Sequence, residues 1–174
     1  MEILIPAARI QERVAELAGQ IAADYHGRPV TIVGVLTGSL MFLADLVRRL
    51  DLPLRIGLIQ ASSYRGTQSG PLHLGREIQG DVRGRHVLLL DDILDTGQTL
   101  QHLVGHVRQM EPLSIKVAVL LRKQGRQSVD VSADFVGFEI PDEFVVGYGL
   151  DYMERYRNLP YIGVLRKDLI AATA

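Results

Sequence analysis

Near-continuous apolar runs, separated by stretches of helical periodicity, constrain the fold of this chain more than any other feature. Residues 30–36, 87–90 and 115–121 are runs of this kind, and apolar residues do not alternate with polar ones within them. Strands that are apolar on both faces are typical of parallel sheets covered by helices. The sequence therefore predicts an α/β fold with a central, mainly parallel sheet flanked by helices.

Three helices are predicted between these strands, from apolar residues that recur every three or four positions. The first covers residues 7–25, the second follows Ser39, whose hydroxyl can cap it, and the third ends before Pro112. Because His102 and His106 flank the buried face of the third helix, we expect both to be exposed rather than zinc ligands. The predicted apolar faces are Ile10, Val14, Leu17 and Ile21; Leu40, Leu43, Ala44 and Val47; and Leu100, Leu103, Val104 and Val107.

The remaining segments have weaker patterns. Leu54, Ile56 and Leu58 alternate with other residues, as in a strand. Residues 65–80 are rich in Gly, Ser, Thr and Gln, and we predict a long mobile excursion with a short strand near residues 72–74. Long excursions in compact domains are often lids. From residue 134 onward the chain is aromatic-rich and punctuated by glycine, which predicts short strands and loops appended to the core.

Composition excludes several classes of protein. The chain has 174 residues, 47% of them apolar and 22% charged, which is typical of one globular domain. A net charge of -1 argues against binding nucleic acid through a general basic surface. The absence of cysteine excludes disulfides and fits a reducing cytoplasm. Since the first residues do not resemble a signal peptide and no run approaches ~18 apolar residues, we expect a cytoplasmic protein that binds no membrane.

One string of residues carries the chemistry, at positions 87–100. A buried strand delivers Asp91 and Asp92 to its carboxyl end, a short loop follows, and a helix opens near Thr99. In parallel sheets ligands bind beyond the carboxyl ends of strands, and free N–H groups at a helix start bind anions. Gly97 lets the backbone approach a ligand closely. The loop therefore suits a phosphate, and Asp91, Asp92 and Asp95 suit sugar hydroxyls, magnesium or proton transfer.

A shorter motif, such as Asp-x-x-Asp-Thr-Gly alone, would not indicate a function, because acidic residues at a strand end before a Thr-capped helix are also common for purely structural reasons. The full string at 87–100 resembles the phosphoribosyl pyrophosphate signature of type I phosphoribosyltransferases. Residues 35–39 resemble the pyrophosphate loop of this family, and residues 61–64 the start of its catalytic lid. Residues 135–152 and 155–160 resemble the hypoxanthine-guanine branch rather than the adenine, orotate or uracil branches. Neither a Walker A loop nor a dinucleotide-binding fingerprint is present in the sequence.

The resemblance implies a purine salvage enzyme. It would transfer the phosphoribosyl group of phosphoribosyl pyrophosphate to N9 of hypoxanthine or guanine, with Mg²⁺, to give IMP or GMP and pyrophosphate. The family fold implies one domain over residues 1–174. A small base-binding hood would be built from residues 134–174, with the N-terminal segment as a further candidate part. Family analogy also implies a homodimer or homotetramer.

The resemblance further implies roles for individual residues on the sugar side. Asp91 and Asp92 would hold the ribose hydroxyls and help to order magnesium, and Asp95 would be the general base near N7 of the purine. Pyrophosphate would contact Thr37, Gly38 and Arg157. The 5′-phosphate would be wrapped by Asp95, Thr96, Gly97, Gln98 and Thr99.

On the base side, the family pattern implies that Lys123 bonds the exocyclic oxygen at C6 and that Phe144 stacks on the purine. The backbone of Val145 would read the edge of the base. Asp151 would lie beside the purine site and support a second magnesium. The lid would include Ser63 and Tyr64.

Ordinary structural explanations remain open for several of these residues. Lys123 could be a solvated charge, Phe144 a core aromatic, Asp151 a helix cap or a partner of Arg155, and Arg157 a surface residue.

Three positions depart from the family pattern, one of them Gln127, which stands where relatives have Arg. Thr37 stands where many relatives have a basic residue, and Asp91 stands where Glu is frequent. Two other functions also remain open: a regulatory nucleotide-binding protein with the same fold, and a xanthine-preferring enzyme. Gln127 and Arg126 receive no assignment.

Overall fold

The computed structural model describes the backbone of residues 1–65, 68–74 and 78–166, and the side chains of residues 1–61 and 78–166. None of the helices in these ranges is both long enough and apolar enough to span a membrane. In chain order the elements are β1 (Glu2–Ile5), α1 (Ala7–Asp24), β2 (Val30–Leu36), α2 (Leu40–Val47), β3 (Leu54–Arg65), β4 (Gln68–Leu74), β5 (His86–Leu94), α3 (Gln98–Arg108), β6 (Ser114–Lys123), β7 (Phe135–Ile140), β8 (Val145–Val146) and β9 (Ile162–Val164).

The main sheet has the strand order β4-β3-β2-β5-β6-β7. Strands β3, β2, β5, β6 and β7 run parallel, and β4 is antiparallel to β3. Helices cover both faces, because α1 and α2 pack with Ile32 and Leu88, whereas α3 packs with Val33 and Leu89. This arrangement confirms the predicted α/β fold and explains why the central strands are apolar on both faces.

Helix α1 has the predicted buried face. The face predicted for α2 is only partly correct, because Leu43 is buried and Val47 packs against the core but Leu40 and Ala44 do not. The buried residues of α2 are Phe42, Leu43 and Leu46, whereas Leu40 is 41% exposed and Ala44 is also exposed. Every residue of this short helix except Asp45 is apolar, so its sequence does not define a polar side. Packing against α1 and β2 therefore selects the buried face, and periodicity alone could not have found it.

Ser39 does not cap α2 with its side chain. Its hydroxyl donates to the carbonyl oxygen of Val35 at 2.6 Å, and its backbone already has helical torsion angles. A capping residue normally has extended torsion angles that aim its oxygen at the helix amides. Ser39 thus ties the start of α2 back to the end of β2.

A second, antiparallel sheet has the order β1-β9-β8, so the N-terminal strand lies beside the C-terminal one. The segment predicted to contribute to the hood, from about residue 134 onward, begins with β7, which pairs in parallel with β6 in the main sheet. The exposed edge of β6 offers hydrogen-bonding groups that a following strand can satisfy. The segment that differs from the main sheet therefore begins after Ile140.

The predicted excursion near residues 65–80 contains a longer strand than expected. Strand β4 pairs with the far end of β3, and Leu58 and Gln79 exchange backbone hydrogen bonds of 3.0 and 2.9 Å. Ser63 and Tyr64 belong to β3, but their side chains lie outside the described residues, and so does the tip of the excursion.

Gly19 offers a simple test of helix stability. It lies inside α1 on the solvent side, and no atom lies within 4 Å of the position that a Cβ would take. We expect Gly19→Ala to raise the free energy of unfolding by about 1 kcal/mol, because alanine has a higher helix propensity. Urea unfolding measures this change. Gly34→Ala should instead destabilise the protein, because its Cβ would lie 2.7 Å from Leu43 Cδ2.

Candidate active site

Several of the predicted site residues, among them Gly38, Asp95 and Lys123, lie at one edge of the main sheet. Strands β2, β5 and β6 are parallel neighbours, and the loops that follow them carry Gly38, Asp95 and Arg126. The carboxyl ends of parallel strands lie at the same edge, which is where ligands bind in open α/β sheets. The fold thus brings the predicted pyrophosphate loop, phosphate loop and Lys123 together.

Asp91, which is buried, and Asp92, which is half-buried, form an acidic pair inside β5 rather than just beyond it, since this strand continues to Leu94. The backbone N–H of Asp92 donates to Asp91 Oδ1 at 2.9 Å, and that of Ile93 donates to Asp92 Oδ1 at 2.8 Å. Burial, and then the proximity of Asp92, raises the pKa of Asp91 well above its usual value. Burial also raises the pKa of Asp92, although hydrogen bonds and Arg157 oppose the shift.

The loop between β5 and α3 opens a helix as predicted. Gly97 O accepts the first hydrogen bond of the helix, from Gln101 N–H at 2.9 Å. The backbone amides of the residues before Gln101 therefore lie outside the regular i to i−4 hydrogen bonds of α3. Gly97 has a φ of 88°, and a Cβ there would lie 2.7 Å from Val131 Cγ1. The glycine is therefore required by packing beneath the loop, in addition to the ligand approach that the sequence suggested.

Four charged side chains form a compact cluster at this loop. Lys123 Nζ lies 3.6 Å from Asp95 Oδ2 and 3.3 Å from Asp142 Oδ1, and its side chain is only 10% exposed. Arg126 Nε donates to Asp95 Oδ1 at 3.0 Å and lies 3.5 Å from Asp142 Oδ1. Lys123 is thus not a solvated charge. Arg126 and Asp142 had no sequence assignment, and nothing in their local sequence indicated this contact.

A second group of contacts surrounds Gly38. A Cβ on Gly38 would lie 1.7 Å from Asp92 Oδ2, and a Cβ on Gly149 would lie 2.0 Å from Gly38 O. Arg157 Nη1 donates to Gly149 O at 2.8 Å, and Gly149 N–H donates to Arg157 O at 3.0 Å. The peptide bond before Thr37 is cis, and the Thr37 side chain is exposed. The structure therefore places Thr37, Gly38 and Arg157 in one group, beside Asp92.

Arg157 and Asp151 form an ion pair within this group. Arg157 Nη2 lies 3.0 Å from Asp151 Oδ1, while Asp151 Oδ2 accepts a hydrogen bond from Glu154 N–H at 2.8 Å. The Arg157 side chain is 23% exposed, so it is not an ordinary surface residue. Its Nε is buried and has no hydrogen-bond partner in the described part of the chain. The partner of Asp151 is thus Arg157, not Arg155.

Phe144 and Val145, which the family resemblance places at the base, lie at the second sheet. Phe144 packs edge to face against Tyr152, with ring centroids 5.6 Å apart and an interplanar angle of 87°. The Phe144 carbonyl accepts a hydrogen bond from Leu165 N–H at 2.8 Å, and Val145 pairs with Val164. Phe144 is half-buried.

The donor set is compatible with magnesium. In the described ranges no three His, Cys, Asp or Glu side chains are grouped as a metal site. Magnesium usually binds one or two carboxylates and takes its other ligands from water and substrate phosphates. Asp91 and Asp92 match this pattern as two adjacent carboxyl groups, one buried and one half-buried.

The two histidines of α3 differ from each other. His102 is exposed, as predicted, and its Nδ1 lies 2.7 Å from Gln98 O. The prediction for His106 is wrong, because the residue is half-buried and its Nε2 is buried beside the packed face of the helix.

Comparisons with known proteins agree with this geometry. The sequence model of the phosphoribosyl transferase domain matches residues 5–153. Hypoxanthine-guanine phosphoribosyltransferase of Streptococcus pneumoniae strain R6 is 43% identical over 170 residues, which cover 97% of this chain and 94% of the relative. A crystal structure of the Bacillus anthracis hypoxanthine-guanine phosphoribosyltransferase aligns with a TM-score of 0.88 at 42% identity, covering 95% of this chain and 98% of that one.

A third comparison includes a bound product. A variant of Trypanosoma cruzi hypoxanthine phosphoribosyltransferase, in complex with the product IMP, aligns with a TM-score of 0.90 at 40% identity. That alignment covers 99% of this chain and 94% of the other. The domain match and the near full-length relatives lead to one conclusion: the chain belongs to the phosphoribosyltransferase family, in its hypoxanthine-guanine branch.

Proposed function

We propose that the protein transfers the phosphoribosyl group of phosphoribosyl pyrophosphate to N9 of hypoxanthine or guanine, giving IMP or GMP and pyrophosphate. The observation that carries this proposal is the meeting of three groups at one sheet edge. These groups are the start of α3, the acidic pair Asp91 and Asp92, and the Gly38–Arg157 group. They offer an anion site, sugar-binding acids and a second anion site in one place.

The sugar donor would be held from both ends. The 5′-phosphate would accept hydrogen bonds from the amides of residues 95–99, where the dipole of α3 favours a negative charge. Asp91 and Asp92 would contact the ribose hydroxyls. Since Thr37 carries no charge, pyrophosphate would depend on backbone amides at Gly38 and on Arg157, whose paired guanidinium already lies beside this loop.

Magnesium would be held by Asp91 and Asp92, and Asp151 would support a second ion beside Arg157. When bound, magnesium supplies positive charge that offsets the charge developing on the leaving pyrophosphate. Arg157, which lies near Asp92, would stabilise the same negative charge on the leaving pyrophosphate. A fixed cation stabilises charge that develops in the transition state.

The purine would lie between the charged cluster and the second sheet. Lys123 can only donate hydrogen bonds, so it favours a 6-oxo purine over adenine. Its 3.6 Å separation from Asp95 Oδ2 is longer than a hydrogen bond, which leaves donor capacity for the base oxygen. Asp95 would accept the purine proton near N7, Phe144 would stack on the ring, and the backbone of Val145 would contact its edge.

The lid would close over the reacting atoms. Ser63 and Tyr64 would belong to it, and closure would exclude water that otherwise hydrolyses the sugar donor.

The domain, the oligomeric state and the cellular location are proposed from the topology, family analogy and composition. Residues 1–174 would form one domain, with β1, β8 and β9 as the base-binding hood, because these strands surround Phe144 and Val145. Family analogy supports a homodimer or homotetramer, and the absence of cysteine fits the cytoplasm. Neither nucleic acid nor membrane would be a partner. Sedimentation equilibrium measures the oligomeric state.

An assay with five bases tests the function directly. The protein is incubated with magnesium, phosphoribosyl pyrophosphate and, separately, hypoxanthine, guanine, xanthine, adenine or uracil. Nucleotide should form with hypoxanthine and guanine. Faster formation with xanthine would reassign the substrate, and the absence of product with every base would refute the proposal.

Lys123→Ala tests the base contact. We expect the KM for hypoxanthine to rise by at least about tenfold, while the KM for phosphoribosyl pyrophosphate changes by less than about twofold. Steady-state kinetics with each substrate varied in turn measures the difference. Lys116→Ala is a matched control, because this lysine pairs with Asp24 at 2.7 Å and has no proposed role. Equal effects of Lys123→Ala on both KM values would count against direct contact with the base.

A further inference from the structure

A partly buried hydrogen bond between Tyr148 and Asp45 lies outside the mechanism described so far. Tyr148 is 5% exposed, and its hydroxyl donates to Asp45 Oδ2 at 2.6 Å. Gln11 Nε2 donates to the same carboxylate oxygen at 2.7 Å, and Arg48 pairs with Oδ1. Asp45 of α2 is thus held by a residue of α1 and by the segment that follows β8.

The hydrogen bond joins a neutral hydroxyl to a carboxylate. Burial alone would raise the pKa of Asp45, but the hydrogen bonds from Tyr148, Gln11 and Arg48 outweigh burial and lower it. Burial, followed by the hydrogen bond to Asp45, raises the pKa of Tyr148 above its usual range. At neutral pH Tyr148 therefore remains a donor and Asp45 a charged acceptor, a combination stronger than a neutral pair.

Both partners adjoin the Gly38 group. Asp45 lies in α2, which begins directly after Ser39, and Tyr148 precedes Gly149, whose Cα packs against Gly38 O. The backbone N–H of Tyr148 donates to Leu159 O at 2.8 Å. The side-chain bond therefore closes a ring of contacts that runs from Gly38 through α2 to Tyr148 and back through Gly149.

The backbone of this segment needs such support. Tyr148 has a φ of 49°, in the left-handed region that residues other than glycine rarely adopt. Conformations of this kind persist only where the surrounding structure fixes them. The hydrogen bond to Asp45 and the burial of the Tyr148 ring provide that constraint, and the neighbouring Gly149 carbonyl is the acceptor for Arg157 Nη1.

We propose that the Tyr148–Asp45 hydrogen bond is a positioning element for pyrophosphate recognition. It fixes Gly149 against Gly38 and so sets the position of the Arg157 guanidinium relative to the pyrophosphate loop. Tyr148 contacts no reacting atom and acts only through these neighbours. This inference rests on the proposed phosphoribosyl transfer.

Tyr148→Phe tests this role, because it removes the hydroxyl and keeps the ring. We expect the KM for phosphoribosyl pyrophosphate, and the KM for pyrophosphate in the reverse reaction, to rise by about 5–20-fold. The purine KM and kcat should change by less than about twofold. Calorimetric titration of magnesium pyrophosphate should show weaker binding, a readout that does not require turnover.

Variants of Asp45 give an independent test if Tyr148→Phe folds poorly. Asp45→Asn keeps an oxygen acceptor and should bind pyrophosphate nearly as the original protein does. Asp45→Ala should match Tyr148→Phe, and the double variant should be no worse than either single one, because both remove the same hydrogen bond.

Tyr25→Phe is the matched control. Tyr25 is also a buried tyrosine, but its hydroxyl lies 3.5 Å from Val87 O, near the amino end of β5 and away from the site. It should leave both KM values unchanged, whatever it does to stability. Unaltered pyrophosphate binding in both Tyr148→Phe and Asp45→Ala would overturn the positioning role. If the original protein formed no nucleotide, the proposed function would fail instead, and the calorimetric comparison would still decide the role of Tyr148.

Discussion

Asp95→Asn is expected to lower kcat by at least ~10²-fold while binding of phosphoribosyl pyrophosphate survives. Asparagine has nearly the same shape as aspartate and retains an oxygen that can accept the hydrogen bond from Arg126 Nε. It cannot take a proton from the purine. The variant therefore separates proton transfer from the geometry of the loop.

Single-turnover formation of IMP measures the chemical step, and calorimetry measures binding of the sugar donor. Asp142→Asn is the control, because Asp142 is the other carboxylate that contacts Lys123 and Arg126. It should lower kcat by less than about tenfold. If Asp142→Asn lowered kcat as much as Asp95→Asn, the rate would depend on the net charge of the cluster and not on proton transfer to Asp95. Unchanged turnover in Asp95→Asn would remove this residue from the mechanism.

Gly149→Ala should be the most damaging glycine substitution at the site. The added Cβ would lie 2.0 Å from Gly38 O, and Gly149 has a φ of 103°. The contact is with backbone, so either the pyrophosphate loop or the segment that holds Arg157 must move. Because displacements of about 1 Å in a catalytic site can cost ~10²-fold, we expect a loss of at least this size in kcat/KM for phosphoribosyl pyrophosphate.

Gly27→Ala distinguishes the two possible causes of that loss, which are the steric contact with Gly38 O and the strain of a positive φ. Gly27 also has a positive φ, of 69°, but no atom lies within 4 Å of its added Cβ, and it is remote from Gly38. It should lose about 1–2 kcal/mol of stability for the left-handed conformation and keep its kinetics. Steady-state kinetics and urea unfolding of both variants complete the comparison. Similar kinetics in Gly149→Ala and the original protein would show that the Gly38 contact is not needed.

The sequence predicted the parts of the fold that depend on local patterns. Strand β2 and the core of β6 follow from continuous apolar runs, and α1 follows from an apolar residue on every turn. The loop between β5 and α3 was recognisable because its acids, threonines and glycine are consecutive in the chain. Its chemistry therefore did not depend on knowing the tertiary structure.

What the sequence could not predict depends on contacts between distant residues. Tyr148 and Asp45 are 103 positions apart, and Arg126 and Asp95 are 31 positions apart. No local pattern encodes such pairs. The sequence predicted that β5 ends before Asp91, whereas the strand continues to Leu94. Acidic residues are rare inside buried strands, so a strand that includes Asp91 was not expected. The presence of Asp91 in the strand is explained only by the surrounding site.

The apolar core continues without a break from the main sheet into the strands proposed as the hood. Val145, Leu150 and Ile162 belong to the same buried cluster as Ile10 and Ile32. A hinge between the two sheets would have to separate these side chains and expose them to water. The two sheets should therefore unfold together in a single cooperative transition, and access for a purine must come from segments outside this shared core.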